Sequence, residues 1–234
     1  MSTATPQLPL ALGSSPDQRI ETYLHAASGV LEALRTAAET SAGEALCVSG
    51  PAGSGKTHLL LATAAHAREA GRRSAYVALG QAAGALAQVL PMFEGHDIVA
   101  LDGVDAVAGH AADAAALFHL HNALRDSGAV PVYSMGAPLD ATRWALPDLR
   151  SRVAQATQLK LRALDDAGRA DVLSARARRR GLQVDDAAIE WMLKRTDRDL
   201  GSLTALLDRL DRASLAAQRR VTVPFLRDVL RDTD

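Results

Sequence analysis

A single cysteine, Cys47, stands in a chain of 234 residues, so no internal disulfide can form and the fold suits a reducing compartment. Set in an apolar run, that thiol reads as a small buried hydrophobe. Aromatic residues are scarce, at 3%, which leaves Leu, Val and Ala to fill the core. No apolar run approaches the ~20 residues of a membrane-spanning helix. The amino terminus lacks a basic segment followed by an apolar core, the mark of a secretory leader. A soluble, cytoplasmic chain without membrane contact is expected. Charge of neither sign prevails: the net charge is −1, so the molecule as a whole is no polyanion binder. His119 and His121 lie two apart on one helix and cannot share a face, which argues against a metal site there.

What the sequence does contain is organised around Gly50-Pro51-Ala52-Gly53-Ser54-Gly55-Lys56-Thr57, a match to G-x-x-x-x-G-K-[ST] at every fixed position. Residues 45–48 before it read as a buried strand. His58 and the residues to 70 after it read as a helix, stopped by Gly71. A strand feeding a glycine turn feeding a helix aims successive backbone N–H groups at one small volume, a cradle for phosphate. Lys56 is expected to reach the β- and γ-phosphates, and the Thr57 hydroxyl to hold Mg²⁺. Asp102 ends a second apolar strand, over residues 97–102, and supplies the acid that such sites use to hold Mg²⁺. In active ATPases of this kind a further acid follows at once. Here that position is Gly103, and Asp105 could serve only through a different turn. General-base help is worth ~10²–10⁴-fold, so nucleotide binding with feeble hydrolysis is expected.

Strands are also expected at residues 74–79, 130–134 and 158–161, and helices at 18–38, 81–90, 111–126 and 146–153. Pro131 should lie near the start of its strand or at a bulge. The alternation implies an α/β domain: a parallel sheet with helices on both faces. After residue 164 only helices are expected, at 165–180, 185–195, 197–218 and 224–231, forming a small all-α lid domain. Three parts result: a flexible arm at 1–17, a nucleotide-binding base at 18–163 and a helical lid at 164–234. Arg176, Arg178, Arg179 and Arg180 read as a solvated helix end favoured by the helix dipole.

Five stretches resemble the AAA+ group, and within it the regulatory-inactivator members of the DnaA-related branch. They are residues 7–12, 50–60 and 97–105, the run Leu146-Pro147-Asp148-Leu149-Arg150-Ser151-Arg152-Val153, and Lys194-Arg195-Thr196-Asp197-Arg198-Asp199-Leu200. A sixth, Leu207-Asp208-Arg209-Leu210-Asp211-Arg212-Ala213-Ser214 with Ala217-Gln218-Arg219-Arg220, is the most family-like of all. The resemblance implies that Gln7, Leu8, Leu10 and Leu12 form a peptide that docks on the sliding clamp of DNA polymerase III, a polar hook and apolar plugs on a tethered strand. It implies that Arg152, with Arg150 as the fallback, is an arginine finger presented in trans to ATP on the initiator DnaA, worth ~10³–10⁵ in rate. Arg198 takes the place of the second sensor, and Ser134, or less well Met135, that of the first. The cofactor implied is ADP or ATP with Mg²⁺, the family working in its ADP form.

The function so implied is negative control of replication initiation, with DNA met only through the clamp and self-association left open. A helix-turn-helix for base reading, which initiator DnaA carries, is not expected here. A different class of reading is a self-sufficient AAA+ ATPase or helicase loader, separable by brisk turnover that collapses on Asp105→Ala. A nucleotide-metabolising kinase is remote, since no acceptor-binding lid sequence is recognisable.

Overall fold

The computed structural model describes residues 19–27, 29–41, 44–195, 200–217 and 220–231. Two compact units divide the chain after Arg162, with the loop residues Ala52–Ser54 grouping with the second.

In the first unit, five parallel strands alternate with helices. In chain order these are α1 (Val30–Glu39), β1 (Leu46–Ser49), α2 (Lys56–Glu69), β2 (Ser74–Ala78), α3 (Leu86–Val89), β3 (Ile98–Asp102), α4 (Val104–Val107), α5 (Ala111–Asp126), β4 (Val130–Met135), α6 (Pro147–Gln155) and β5 (Thr157–Lys160). The strands lie in the order β2-β3-β4-β1-β5, all parallel. The central strands read as continuous apolar runs because both faces are buried. Residues of alternate parity then go to opposite layers. Leu46, Val48, Ile98, Ala100, Val130 and Val132 pack with Leu34, Leu59 and Leu60 of α1 and α2. Cys47, Val99, Leu101, Tyr133 and Met135 pack with Leu86, Leu117, Leu124, Leu149 and Val153 on the other face.

Pro131 sits second in β4, opposite Val99, without a bulge. Val130 donates its amide to Asp97 O on the β3 side, at 3.0 Å. Alternation turns the next position toward β1, and pairing of β1 with β4 starts only at Leu46 opposite Val132. The donor that proline lacks therefore falls outside the ladder.

Two expected helices are divided. In place of one helix over 18–38 there is a 3₁₀ turn, Ile20–Thr22, and then α1. Between them His25 (φ 62) and Gly29 (φ 87) take left-handed conformations that no helix continues through. In place of a helix over 81–90 there are two 3₁₀ turns, Leu79–Ala82 and Leu90–Phe93, flanking the single turn α3. Gly84 (φ 83) and Pro91 make the breaks. The buried Asp113 carboxylate ties this segment down, accepting from Gly84 N at 2.7 Å and Leu86 N at 3.3 Å.

The second unit contains α7 (Asp166–Arg179), α8 (Asp186–Arg195), α9 (Leu200–Ala217) and α10 (Val223–Arg231) around Leu173, Ile189, Met192, Leu203, Leu207, Leu210 and Leu226. Asp165 caps α7, its side chain accepting from Gly168 N at 2.8 Å. The arginine run at the end of α7 is not simply solvated. Arg180 donates to Asp208 on α9 at 2.5 Å and lies 3.9 Å from Asp211, while Arg176 lies 3.8 Å from Asp208. The charges brace two helices against each other. Among the described residues, no helix is long and apolar enough to cross a membrane.

Candidate nucleotide site

Within the first unit the sheet order puts β1 between β4 and β5, so the loop leaving β1 opens beside the carboxyl ends of β4 and β3. Crevices of this kind are where open α/β sheets bind ligands. Gly50 N donates to Met135 O at 3.2 Å, pinning the start of the loop to the end of β4. The loop then uses positive φ at Gly53 (72°) and Gly55 (86°). At Gly55 a second demand applies: a Cβ there would come within 2.5 Å of the Tyr23 ring. Gly55 is also the N-cap of α2, whose free N–H groups and positive dipole end face the loop.

Lys56 donates to Gly50 O at 2.7 Å and Pro51 O at 2.8 Å. Burial holds its ammonium below the ordinary lysine range, while the Asp102 and Asp105 carboxylates work in the opposite direction. Both acids therefore lie within electrostatic reach of the lysine that the motif assigns to phosphate. His58, next along α2, turns away: its Nε2 lies 3.2 Å from Arg19 O and 3.4 Å from Thr22 Oγ1, with its ring 5.9 Å from that of Tyr23. Burial raises the Tyr23 hydroxyl to about 12.

Asp102 is the hub. Its Oδ2 accepts from Thr57 Oγ1 at 2.7 Å and from Tyr76 Oη at 2.7 Å. Its Oδ1 accepts from Ser134 Oγ, which itself accepts from Gly103 N at 2.9 Å. Burial, reinforced by the bond to Asp102 and its charge, raises the Tyr76 hydroxyl well above its ordinary value. The sequence reading brought Thr57, Asp102 and Ser134 to this site but passed over Tyr76, a strand tyrosine that reads as core. Met135 is buried in the apolar layer opposite. Glycines with positive φ, a lysine and a hydroxyl–carboxylate pair of hard oxygen donors fit a nucleotide phosphate with Mg²⁺.

Asp105 stands elsewhere. Its Oδ1 accepts from Gly136 N at 3.1 Å and its Oδ2 from Ala137 N at 3.2 Å. Both oxygens are thus tied to the backbone that follows β4. Cys47, beneath the loop, is fully buried, and burial with the Asp105 charge raises its thiol to about 12, which makes it inert.

On α6 the two arginines differ. Arg150 forms an ion pair with Asp140 at 2.7 Å. Arg152 is half-buried and makes no ion pair or side-chain hydrogen bond among the described residues. Its charge acts on a buried pair beneath it, His121 Nδ1 and Tyr133 Oη, 2.7 Å apart. Gln7, Leu8, Leu10, Leu12 and Arg198 lie outside the described residues.

Comparison with known proteins agrees with this architecture. A family described as "Hda, lid domain" matches residues 166–230. Domain III of the replication initiation protein DnaA from Thermotoga maritima superposes with a TM-score of 0.74 at 21% identity, covering 96% of this chain and 98% of that one. AMPPCP-bound DnaA from Aquifex aeolicus gives a TM-score of 0.66 at 20% identity, with 83% of this chain and 65% of that one covered. The RuvB Holliday junction branch migration motor of Thermotoga maritima gives 0.61 at 18%, with 92% and 71% covered. At these identities the likeness to solved structures is one of fold, and the lid match narrows it. Residues 166–230 match the Hda type of lid domain, and the chain as a whole shares the fold of DnaA domain III.

Proposed function

We propose that this protein is a cytoplasmic negative regulator of replication initiation, one that binds nucleotide firmly and acts on the ATP of another AAA+ subunit, the initiator DnaA. The observation that carries this reading is the position of Asp105. With Gly103 directly after Asp102, Asp105 is the next acid along, and its carboxylate is committed to the Gly136 and Ala137 amides. A site built this way holds nucleotide and has no carboxylate poised to polarise attacking water. The same arrangement counts against the self-sufficient ATPase or helicase loader.

ADP or ATP would be held by the loop residues 50–57 and by Arg198, and Thr57 and Asp102 would hold its Mg²⁺. Bound Mg²⁺ supplies neutralisation of phosphate charge. Lys56 adds a second positive group, and Asp102 stays oriented by its three hydroxyl donors. Arg152 is the finger: among the described residues it has no carboxylate partner, whereas Arg150 is occupied by Asp140. An arginine placed in trans against the γ-phosphate of DnaA-bound ATP stabilises charge that develops in the transition state, leaving DnaA with ADP. Gln7, Leu8, Leu10 and Leu12 tether the protein to the DNA-loaded sliding clamp, which raises the local concentration of each partner for the other.

The test is turnover of DnaA-bound ATP with clamp, DNA and this protein, each omitted in turn. Stimulation should require all three. Arg152→Ala should lose it by ~10³-fold or more while binding clamp and nucleotide as the parent does. Arg150→Ala should keep most of it. Alanine at Gln7, Leu8, Leu10 and Leu12 should abolish clamp retention, and stimulation with it, while leaving nucleotide binding intact. Stimulation without the clamp, or by Arg152→Ala, would refute the reading; brisk ATP hydrolysis by the isolated chain that collapses on Asp105→Ala would favour the loader.

A further inference from the structure

We propose that Tyr76 is a positioning residue for Asp102 and sets the Mg²⁺ dependence of nucleotide binding. The inference rests on the nucleotide site proposed above and extends it to a residue on the edge strand, outside the phosphate-loop motif. In the β2–β3 register Tyr76 stands opposite Ala100 and Ala78 opposite Asp102, so Tyr76 and Asp102 are diagonal neighbours on one face of the sheet. A diagonal neighbour lies within reach of a side chain as long as tyrosine. The ring packs against the apolar layer under α2 to which Val48, Ala100 and Leu60 belong. Its hydroxyl meets the same oxygen, Oδ2, that Thr57 meets, both at 2.7 Å.

Two donors converging on one oxygen, and Ser134 on the other, hold the carboxylate from β2, α2 and β4 at once. A carboxylate has about four lone-pair directions. Three are fixed here, which leaves the remaining one aimed rather than free to turn. The Thr57 hydroxyl gives its proton to Asp102 and so presents lone pairs to a cation. Loss of such an outer partner characteristically costs 10–100-fold in metal affinity. A tyrosine that merely satisfied its own buried hydroxyl would lower thermal stability when changed and leave the cation dependence alone.

The experiment uses the full chain and a fluorescent ADP analogue, titrated in a Mg²⁺ series and in EDTA. It compares the parent with Tyr76→Phe, Ser134→Ala and Asp102→Asn, with melting curves for each. Phenylalanine keeps the ring packing, so Tyr76→Phe retains the fold. The expected result is a Mg²⁺ half-saturation raised on the order of 10-fold in Tyr76→Phe, with affinity in EDTA unchanged. Ser134→Ala should move in the same direction and Asp102→Asn further. Tyr76→Phe tracking the parent while Asp102→Asn shifts would overturn the role of Tyr76 and spare the site. A parent that binds no nucleotide, or binds it without regard to Mg²⁺, would overturn the site reading and this inference with it.

Discussion

Replacing His121 by glutamine removes one titrating ring from the layer between α5 and β4 and leaves a side chain that can still accept from Tyr133. His121 is 5% exposed, and its ring lies nearly parallel to that of Tyr133. Burial first, then the positive charges of Arg152 and Arg125, push its pKa down from 6.5 to about 4. Above pH 6.5 the ring is neutral in both the folded and the unfolded chain, and stability is full. As the pH falls below 6.5 the unfolded chain binds a proton that the folded protein refuses, so stability drops until the folded ring titrates near pH 4. Between pH 7 and pH 5 the loss from this one group is about 2 kcal/mol. With a urea slope of ~2 kcal/mol per molar, the midpoint should fall by roughly 1 M over that range. The assay is urea unfolding followed by tryptophan fluorescence in a Trp191→Phe background, so that Trp144, packed in the first unit, is the reporter. His121→Gln should be somewhat less stable at pH 7 and much flatter toward pH 5. Midpoints that fall in parallel in parent and variant would refute the reasoning.

Lys56→Ala removes a charged donor from the loop; nucleotide affinity by calorimetry should drop by roughly 10–150-fold, the equivalent of ~1.5–3 kcal/mol for a charge-assisted hydrogen bond. Equal affinity in variant and parent would contradict the assignment. Gly55→Ala meets two obstacles, the left-handed backbone and the Tyr23 ring. The backbone alone should cost about 1–2 kcal/mol in melting experiments. A Tyr23→Ala background should relieve only the ring's share, and full relief there would show that φ is not the constraint.

Much of the base was legible because its signals are local. Gly50, Gly55, Lys56 and Thr57 sit at fixed spacing between an apolar run and a helix, and Asp102 closes an apolar run of its own. Buried on both faces, β1, β3 and β4 announce themselves by composition. Two of the failures share one cause, which is that register and long-range pairing leave no mark in a linear pattern. Nothing in the sequence shows that Tyr76 stands diagonal to Asp102, because that follows from how β2 pairs with β3. Nor does it show that Arg180 meets Asp208 across two helices, so a run of arginines passed for a solvated end. The helix expected over 18–38 failed differently: Leu24, Leu31 and Leu34 keep helical spacing across Gly29, and periodicity outweighed the glycine's positive φ. The turn α4, four residues long, is shorter than any periodic signal can resolve.

Gly103 ties the local and the long-range together. Read along the chain, it is one missing acid beside Asp102. In the structure it has φ 83 and ψ 51, the left-handed region, and is the N-cap of α4. A Cβ there would meet nothing within 4 Å, so the demand for glycine comes from the backbone and not from crowding. Most other residues in that conformation carry about 1–2 kcal/mol of strain, aspartate and asparagine less than the rest. The same turn brings the Gly103 amide to Ser134, which braces Asp102. It also starts α4 at an angle that carries Asp105 to the Gly136 and Ala137 amides. An acid placed at 103 would therefore enter a strained turn whose geometry already serves the orientation of Asp102. On the proposed reading, the departure from an ATP-hydrolysing site belongs to the whole turn after β3, and a single carboxylate grafted at 103 should not by itself restore hydrolysis.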